Sequence, residues 1–170
     1  MFFTPYELKY IFDYRQSKSS KIITFLGDLA KKHSTYLIGG SLPFDDNGKI
    51  FNTTFVFNRQ GDIIGRYDKI HLFEIEYPNG KTFSEAKILS PGLKILTFPT
   101  EFGPMGVEIC FDIRFPQLSE IIENEGAKVI FVPAAFNSYT GPLHWQTTFR
   151  ARAIDNQLFM IACSPSQNSF

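Results

Sequence analysis

Apolar residues follow two rhythms along this chain, and each rhythm predicts a different element. Over residues 17–32 they recur at helical spacing, with Ser19 or Ser20 placed to cap the first turn. Similar patterns predict helices over 116–125, ended by Gly126, and over 144–155. Short apolar or alternating runs predict strands over 35–42, 51–57, 63–68, 95–98, 105–110, 128–133 and 158–163.

The connections between these elements favour an α/β fold. Residues 45–48 (Asp-Asp-Asn-Gly) predict a turn, and residues 58–62 predict a hairpin between their flanking strands. Residues 71–92 show no period, and an irregular connection of that length in a compact domain is usually functional or disordered. Strands that alternate with helices imply a mainly parallel sheet with a meander inserted. The length of 170 residues favours one domain.

Composition narrows the class of protein. Hydrophobic residues make up 44% and charged residues 20%, as in an ordinary globular domain, and the formal net charge is zero. Zero net charge removes the electrostatic case for binding nucleic acid or an anionic membrane. The two cysteines, Cys110 and Cys163, have no metal-ligand spacing, which fits free thiols in a reducing compartment. No apolar run reaches transmembrane length and the first residues do not resemble a signal peptide, so we expect a cytoplasmic protein.

Two reactive side chains each close a predicted strand. Cys110 ends the strand over 105–110, where open α/β sheets place their ligands, and Lys69 follows the strand over 63–68. A thiolate that attacks a carbonyl and a cation that holds the developing oxyanion would together perform acyl transfer. On the residues alone the alternatives are commoner, since most free cysteines are small buried hydrophobes and most lysines at strand ends are solvated.

The candidate acids differ in their surroundings. Glu74, Glu76 and Glu85 all lie in the irregular segment 71–92, where carboxylates are usually solvated, and Glu85 is set apart by its position between breakers and away from a charge run. Glu108 interrupts an apolar strand, and strand alternation places it on the same face as Cys110. A carboxylate there should be paired or functional, and we favour a salt bridge to Arg114 or a later arginine over catalysis.

A polar and aromatic loop over residues 137–145 follows the strand over 128–133. Its position at the carboxyl end of a strand predicts a pocket lining, with a helix-capping loop as the alternative. Arg150 and Arg152 in the next helix could bind a substrate carboxylate, or equally well a structural or interface acid.

Taken together, these segments resemble the nitrilase superfamily of carbon–nitrogen hydrolases, and within it the omega-amidase branch. The matching segments are GRYDKIHLFEIEYPNGKTFSEAKILSPG, GVEICFDIRFPQL, PAAFNSYTGPLHW and RARAIDNQ, with SPS near the end. The resemblance runs through essentially all 170 residues as a single domain. It implies an α-β-β-α sandwich, hydrolysis of the omega-monoamides of dicarboxylates such as alpha-ketoglutaramate and alpha-ketosuccinamate, a homodimer, and no metal or organic cofactor.

The resemblance also implies a role for each site residue. Cys110 is the nucleophile that forms a thioester, Lys69 and the backbone N–H of Phe111 stabilise the tetrahedral intermediate, and Glu85 is a supporting glutamate that orients the lysine. The residues expected to line the substrate pocket are Tyr6, Phe136, Asn137, Thr140, His144 and Trp145.

One departure from the family pattern concerns the general base. The family's first catalytic glutamate closes an early strand, and matching Thr4-Pro5-Tyr6 places that glutamate just before Met1, so both ends of the chain look cut. We therefore expect little amidase activity from these 170 residues alone. The alternatives are a catalytically dead short homologue that acts as a binding or dimerisation partner, and an amidase of another nitrilase branch, such as one acting on deaminated glutathione.

Overall fold

The computed structural model describes residues 8–17, 20–77, 80, 82–136 and 140–165, without the side chains of residues 8 and 12. The chain divides into two compact units, residues 1–94 and residues 95–170. In the first unit the helices and strands are α1 (Leu8–Asp13), α2 (Lys21–Lys32), β1 (Leu37–Ile38), β2 (Leu42–Asp46), β3 (Lys49–Phe57), β4 (Ile63–Asp68), β5 (Glu74–Glu76) and β6 (Thr82–Ser84), followed by a 3₁₀ helix over Glu85–Lys87.

The core of the first unit lies between α2 and a sheet. Ser20 caps α2, as the sequence predicts, and its hydroxyl accepts a hydrogen bond from the Ile22 N–H at 3.1 Å. The apolar stripe of α2 buries Ile23, Leu26 and Ala30 against the strands. The strand residues that complete this core are Leu42, Phe44, Phe55 and Phe57.

This sheet is antiparallel, which confirms the hairpin predicted over residues 58–62 and fits the meander predicted within a mainly parallel order. β3 pairs with β1 and β2 along one edge and with β4 along the other, and every pairing is antiparallel. Asn47 and Gly48, both with positive φ, form the two-residue turn between β2 and β3, as the Asn-Gly dipeptide predicts. A two-residue turn joins only antiparallel neighbours, so β2 and β3 run in opposite directions, and β1 to β4 form one four-stranded sheet.

The segment over residues 71–92 is more ordered than its sequence predicts. β5 and β6 pair as a short antiparallel ribbon, and the 3₁₀ helix follows directly. The expectation of a structureless loop is therefore wrong for the described part of this segment. Strands of three residues are too short to show a period, which is why the pattern missed them.

The second unit is a mixed sheet with helices. Its elements are β7 (Thr97–Phe98), β8 (Met105–Val107), a 3₁₀ helix over Cys110–Arg114, α3 (Pro116–Asn124), β9 (Val129–Pro133), α4 (Gly141–Asp155) and β10 (Phe159–Cys163). The strand order is β10-β9-β8-β7, with β8, β9 and β10 parallel and β7 antiparallel to β8. The predicted parallel arrangement is thus confirmed for β8, β9 and β10. α3 connects β8 to β9, and α4 connects β9 to β10.

The ends of these elements differ most from the sequence pattern at β8 and at α4. β8 ends at Val107 rather than at residue 110, and α4 begins at Gly141 rather than at residue 144. Gly126, with φ of 92°, lies just beyond α3, as predicted. No helix in the described part of the chain is both long enough and apolar enough to cross a membrane. Within the described ranges, no three His, Cys, Asp or Glu side chains gather into a metal-binding group.

Candidate active site

Lys69 follows β4 directly and is fully buried, at 0% exposure. Its backbone N–H donates to the carbonyl oxygen of Asn52 in β3 at 2.8 Å. The alternative of a solvated lysine at a strand end is therefore wrong. An ammonium group is rarely buried unless an anion is paired with it, so the surroundings of Lys69 decide what it can do.

Glu85 supplies that anion. Its Oε2 accepts from Lys69 Nζ at 2.7 Å and from the backbone N–H of Phe73 at 2.6 Å, and Glu85 is also 0% exposed. The Glu85 N–H donates to the carbonyl oxygen of Phe73 at 2.9 Å, which fixes the start of the 3₁₀ helix beside the chain segment that follows Lys69. Glu74 and Glu76, in contrast, are exposed, as expected for carboxylates of this segment.

The pair is arranged to hold an ammonium group in one place. An ammonium has three N–H donors, and the described residues supply an acceptor for one of those of Lys69. A positive charge that is fixed by a buried carboxylate, with donors left for a ligand, suits the stabilisation of negative charge on a substrate oxygen.

Asn52 is a third member of this group, and sequence reasoning missed it. Its carbonyl oxygen holds the Lys69 backbone, and its Nδ2 donates to Glu85 Oε1 at 3.5 Å. The side chain is buried, and its Oδ1 has no hydrogen-bond partner among the described residues. Its only signal in the sequence is a polar residue inside an otherwise apolar and β-branched strand.

Gly92 packs against the chain just before Lys69, and its N–H donates to the Lys69 carbonyl oxygen at 2.8 Å. A Cβ at residue 92 would overlap with the carbonyl oxygen of Asp68. We expect Gly92→Ala to lower the free energy of unfolding by about 2 kcal/mol, because backbone atoms cannot move aside as a flexible side chain can. Urea unfolding followed by circular dichroism measures this loss.

Gly48→Ala is the control for Gly92→Ala. Gly48 has φ of 81°, and a Cβ added at this residue would have no atom within 4 Å, so the change introduces backbone strain without overlap and should cost about 1 kcal/mol. A Gly92→Ala variant that is less affected than Gly48→Ala would contradict the close packing at Lys69.

Cys110 stands in a strained backbone conformation after β8. Its φ is +50°, in the left-handed region that non-glycine residues rarely adopt, and it begins the 3₁₀ helix over Cys110–Arg114. The thiol is partly exposed, and Sγ donates to the carbonyl oxygen of Ala135 at 3.8 Å. Strain of this kind costs about 1–3 kcal/mol and clusters at functional sites, where a sharp turn presents a side chain.

Charged side chains hold this turn on both sides. Asp112 is fully buried, and its Oδ2 accepts from the backbone N–H of Ile109 at 3.0 Å. Arg152 in α4 donates from Nε to the carbonyl oxygen of Ile113 at 3.0 Å, and its Nη1 lies 3.6 Å from a carboxylate oxygen of Asp155. Arg152 therefore contacts the backbone of the turn and a carboxylate of its own helix, which supports the structural role that the sequence gave as one of its two alternatives.

Glu108 departs from its predicted role. The expected salt bridge to Arg114 or a later arginine is absent among the described residues, and Glu108 instead accepts a hydrogen bond from the hydroxyl of Ser119 in α3 at 2.6 Å. Burial, opposed by the Ser119 hydrogen bond, raises the pKa of Glu108 to about 8. Glu108 therefore holds its proton at neutral pH.

Arg114 contacts a histidine rather than a carboxylate. Arg114 Nη2 lies 2.9 Å from His144 Nδ1, and because a guanidinium only donates, Nδ1 accepts and the ring proton lies on Nε2. The Arg114 guanidinium also lies 5.5 Å from the ring centroid of Phe136. The structure thus brings two of the expected pocket residues together around one arginine.

The remaining pocket residues have different outcomes. Phe136 packs edge-to-face on Trp145, with ring centroids 5.1 Å apart, and Trp145 contacts Phe149 at 4.6 Å. Thr140 immediately precedes α4. Arg150 is exposed. Tyr6 and Asn137 lie outside the described residues.

Comparisons with known proteins agree with this arrangement. A model of the carbon-nitrogen hydrolase family matches residues 1–168. Omega-amidase NIT3 of Saccharomyces cerevisiae is 44% identical over 151 residues, which cover 88% of this chain and 52% of that protein. Human omega-amidase NIT2 is 42% identical over 167 residues, which cover 98% of this chain and 60% of that protein.

The fold is also that of a solved relative. The crystal structure of Saccharomyces cerevisiae Nit3, a member of branch 10 of the nitrilase superfamily, matches with a TM-score of 0.85 and 38% identity over 96% of this chain and 59% of that one. This chain spans between half and two thirds of the length of these curated relatives. The α/β fold is therefore of the nitrilase type, and the chain belongs to the carbon-nitrogen hydrolase family.

Proposed function

We propose that this chain carries the nucleophile, the oxyanion cation and the supporting glutamate of an omega-amidase. The observation that carries the proposal is the conformation of Cys110, a partly exposed thiol at φ of +50° in the turn three residues beyond the end of β8. The contacts that Asp112 and Arg152 make with the backbone hold this turn, and strained backbone of this kind suits the presentation of a nucleophile. The fully buried pair of Lys69 and Glu85 supports it, since buried charge is costly to keep.

The reaction follows from the roles of these groups. The Cys110 thiolate attacks the amide carbon, a C–S bond forms, and the carbonyl oxygen takes up negative charge. Lys69 and the Phe111 N–H stabilise that oxygen, while Glu85 keeps the ammonium in position. The C–N bond then breaks, and the leaving nitrogen takes the proton that the Cys110 thiol gave up and departs as ammonia. Water then attacks the thioester carbon and the C–S bond breaks, which gives the acid and returns one hydrogen of that water to the thiol.

The proposed substrates are omega-monoamides of dicarboxylates, among them alpha-ketoglutaramate and alpha-ketosuccinamate. Support comes from the relatives in yeast and human that carry the name omega-amidase and match across 88% and 98% of this chain.

We also propose a homodimer in a reducing compartment, the cytoplasm. Cys110 and Cys163 are both free thiols in the structure, which fits such a compartment.

Ammonia release tests the proposal. It is measured on alpha-ketoglutaramate, on alpha-ketosuccinamate and on deaminated glutathione, with the 170-residue chain and with the same chain plus whatever residues its gene encodes on either side. We expect turnover of the two omega-monoamides by the longer form. Preference for deaminated glutathione would reassign the branch, and a longer form inert on all three amides would favour the binding or dimerisation partner. Analytical ultracentrifugation of the same samples tests the homodimer.

A further inference from the structure

Glu108 is a buried carboxyl group of the second unit that has no part in the proposed mechanism. One of its two oxygens has no hydrogen-bond partner among the described residues. Glu108 is 0% exposed, Ser119 donates to its Oε1, and its Oε2 has no hydrogen-bond partner there. A carboxylate in such a place would leave charge on an unsolvated oxygen, whereas a carboxylic acid does not. The buried position of Glu108 therefore favours its protonated, neutral form.

The groups that face Glu108 are those that hold the turn of Cys110. From the 3₁₀ helix, the charge of Asp112 makes ionisation of Glu108 harder and contributes to its raised pKa. From α4, the charge of Arg152 acts in the opposite sense on the same pKa, and from α3 the Ser119 hydroxyl does so as well. β9 has no titratable side chain, and its Phe131 carbonyl oxygen accepts the Glu108 N–H at 3.0 Å.

The two charged neighbours of Glu108 also bind the backbone of the turn. Asp112 holds the backbone N–H of Ile109, which lies between Glu108 and Cys110, and Arg152 holds the carbonyl oxygen of Ile113. A negative charge on Glu108 would repel Asp112 and compete with the Ile113 carbonyl for Arg152. Ionisation of Glu108 would thus weaken both contacts that keep the turn in place.

We propose that Glu108 is a positioning residue that works as a neutral carboxylic acid, and that its ionisation in alkali loosens the turn that presents Cys110 and lowers the reactivity of the thiol. This inference rests on the proposed role of Cys110 as the nucleophile. It adds that the turn presents the Cys110 thiol for reaction only while Glu108 keeps its proton.

The sign of the pH dependence follows from linkage. The pKa of Glu108 is about 8 in the folded protein against an ordinary value of 4.5, so the folded state binds the proton more tightly than the unfolded state does. Between these two values the ratio of unfolded to folded protein rises with pH, by at most about tenfold per pH unit. Glu108→Gln, which cannot ionise, should lose this slope.

The test measures the rate at which iodoacetamide alkylates Cys110 from about pH 6 to about pH 10, in a Cys163→Ala background so that one thiol is present. Below about pH 7 we expect the Cys163→Ala chain to be alkylated at the same rate with and without the Glu108→Gln substitution. Near pH 9 we expect alkylation to be about tenfold faster with Glu108→Gln. A protonated-carboxyl infrared band present at neutral pH and lost in Glu108→Gln should accompany this result. A rate ratio that is constant across the pH range would overturn the proposal.

Two further variants keep the result interpretable. Glu120→Gln makes the same chemical substitution at an exposed position of α3, and it should leave the profile unaltered. Ser119→Ala keeps Glu108 but removes the hydrogen bond that lowers its pKa, so the alkaline decline should move to higher pH. A decline that stays in place, or a Glu120→Gln profile like that of Glu108→Gln, would contradict the inference. Ammonia release without this coupling would leave the amidase proposal standing and remove only the role of Glu108.

Discussion

Cys110→Ala is expected to abolish acyl transfer, while Cys163→Ala leaves it intact. The two cysteines are the only thiols in the chain, and both are free. Cys110 has a positive φ and begins a 3₁₀ helix, whereas Cys163 ends β10 in extended backbone. Only the first is presented by a sharp turn, so only the first should be acylated.

The expected effect is large because nothing replaces a covalent nucleophile. Loss of the nucleophile in comparable hydrolases lowers kcat by about 10⁴-fold or more, and the activity that remains comes from binding and oxyanion stabilisation. Incubation with an activated ester of a dicarboxylate, followed by mass spectrometry of the intact protein, should show one acyl adduct on the parent chain and on Cys163→Ala. Peptide mapping should place it on Cys110.

Hydroxylamine provides a second readout of the same bond. A thioester yields a hydroxamate and returns the free thiol, so the adduct should disappear in parallel with hydroxamate formation. An adduct that persists in Cys110→Ala and maps to Cys163 would refute the assignment of the nucleophile.

The sequence was sufficient for the elements whose apolar pattern is long. α2 shows a complete stripe, so its presence and its end at residue 32 follow from spacing, although it begins at Lys21 rather than at residue 17 and Ser20 was one of two candidate caps. β9 and β10 are continuous apolar runs. The sequence was insufficient where one contact decides the structure. β8 ends at Val107 because the Asp112 carboxylate captures the N–H of Ile109, and no periodicity reports a side chain that binds backbone three residues away.

The same distinction applies to the site. Lys69 and Glu85 are separated by 16 residues and belong to segments without a clear pattern, so only the family resemblance pairs them. Asn52 was missed because a polar residue in a strand gives no sign of its partner. Glu108 was recognised as unusual from its apolar neighbours, yet its partner was predicted wrongly, since a sequence shows that a buried carboxylate needs compensation but not that a proton can supply it.

Breaking the buried pair of Lys69 and Glu85 is the second large effect that we expect, and here the readout is stability. Both side chains are 0% exposed and Nζ lies 2.7 Å from Oε2. Removing one partner leaves the other charge buried and uncompensated, which costs about 3–5 kcal/mol. Glu85→Gln and Lys69→Met should each lower the free energy of unfolding on this scale, as measured by urea titration.

The two single variants should differ from each other. Without Lys69, the Glu85 carboxylate still accepts from the Phe73 N–H and from Asn52, whereas without Glu85 the described residues leave the Lys69 ammonium no anion. Glu85→Gln should therefore be the more destabilised of the two. The double variant, which buries neither charge, should be less destabilised than the sum of the single variants, and the difference measures the coupling.

An exposed pair of the same length supplies the control. Lys128 Nζ lies 2.8 Å from Glu123 Oε1, but their side chains are 65% and 29% exposed. The corresponding Lys128→Met and Glu123→Gln variants should change stability by no more than about 1 kcal/mol, because solvent screens the charge that remains. Equal costs at the two pairs would mean that burial does not control the energetics of Lys69 and Glu85. A large cost confined to the buried pair would instead show that Lys69 and Glu85 compensate each other's charge at the position where the proposed reaction needs a fixed ammonium group.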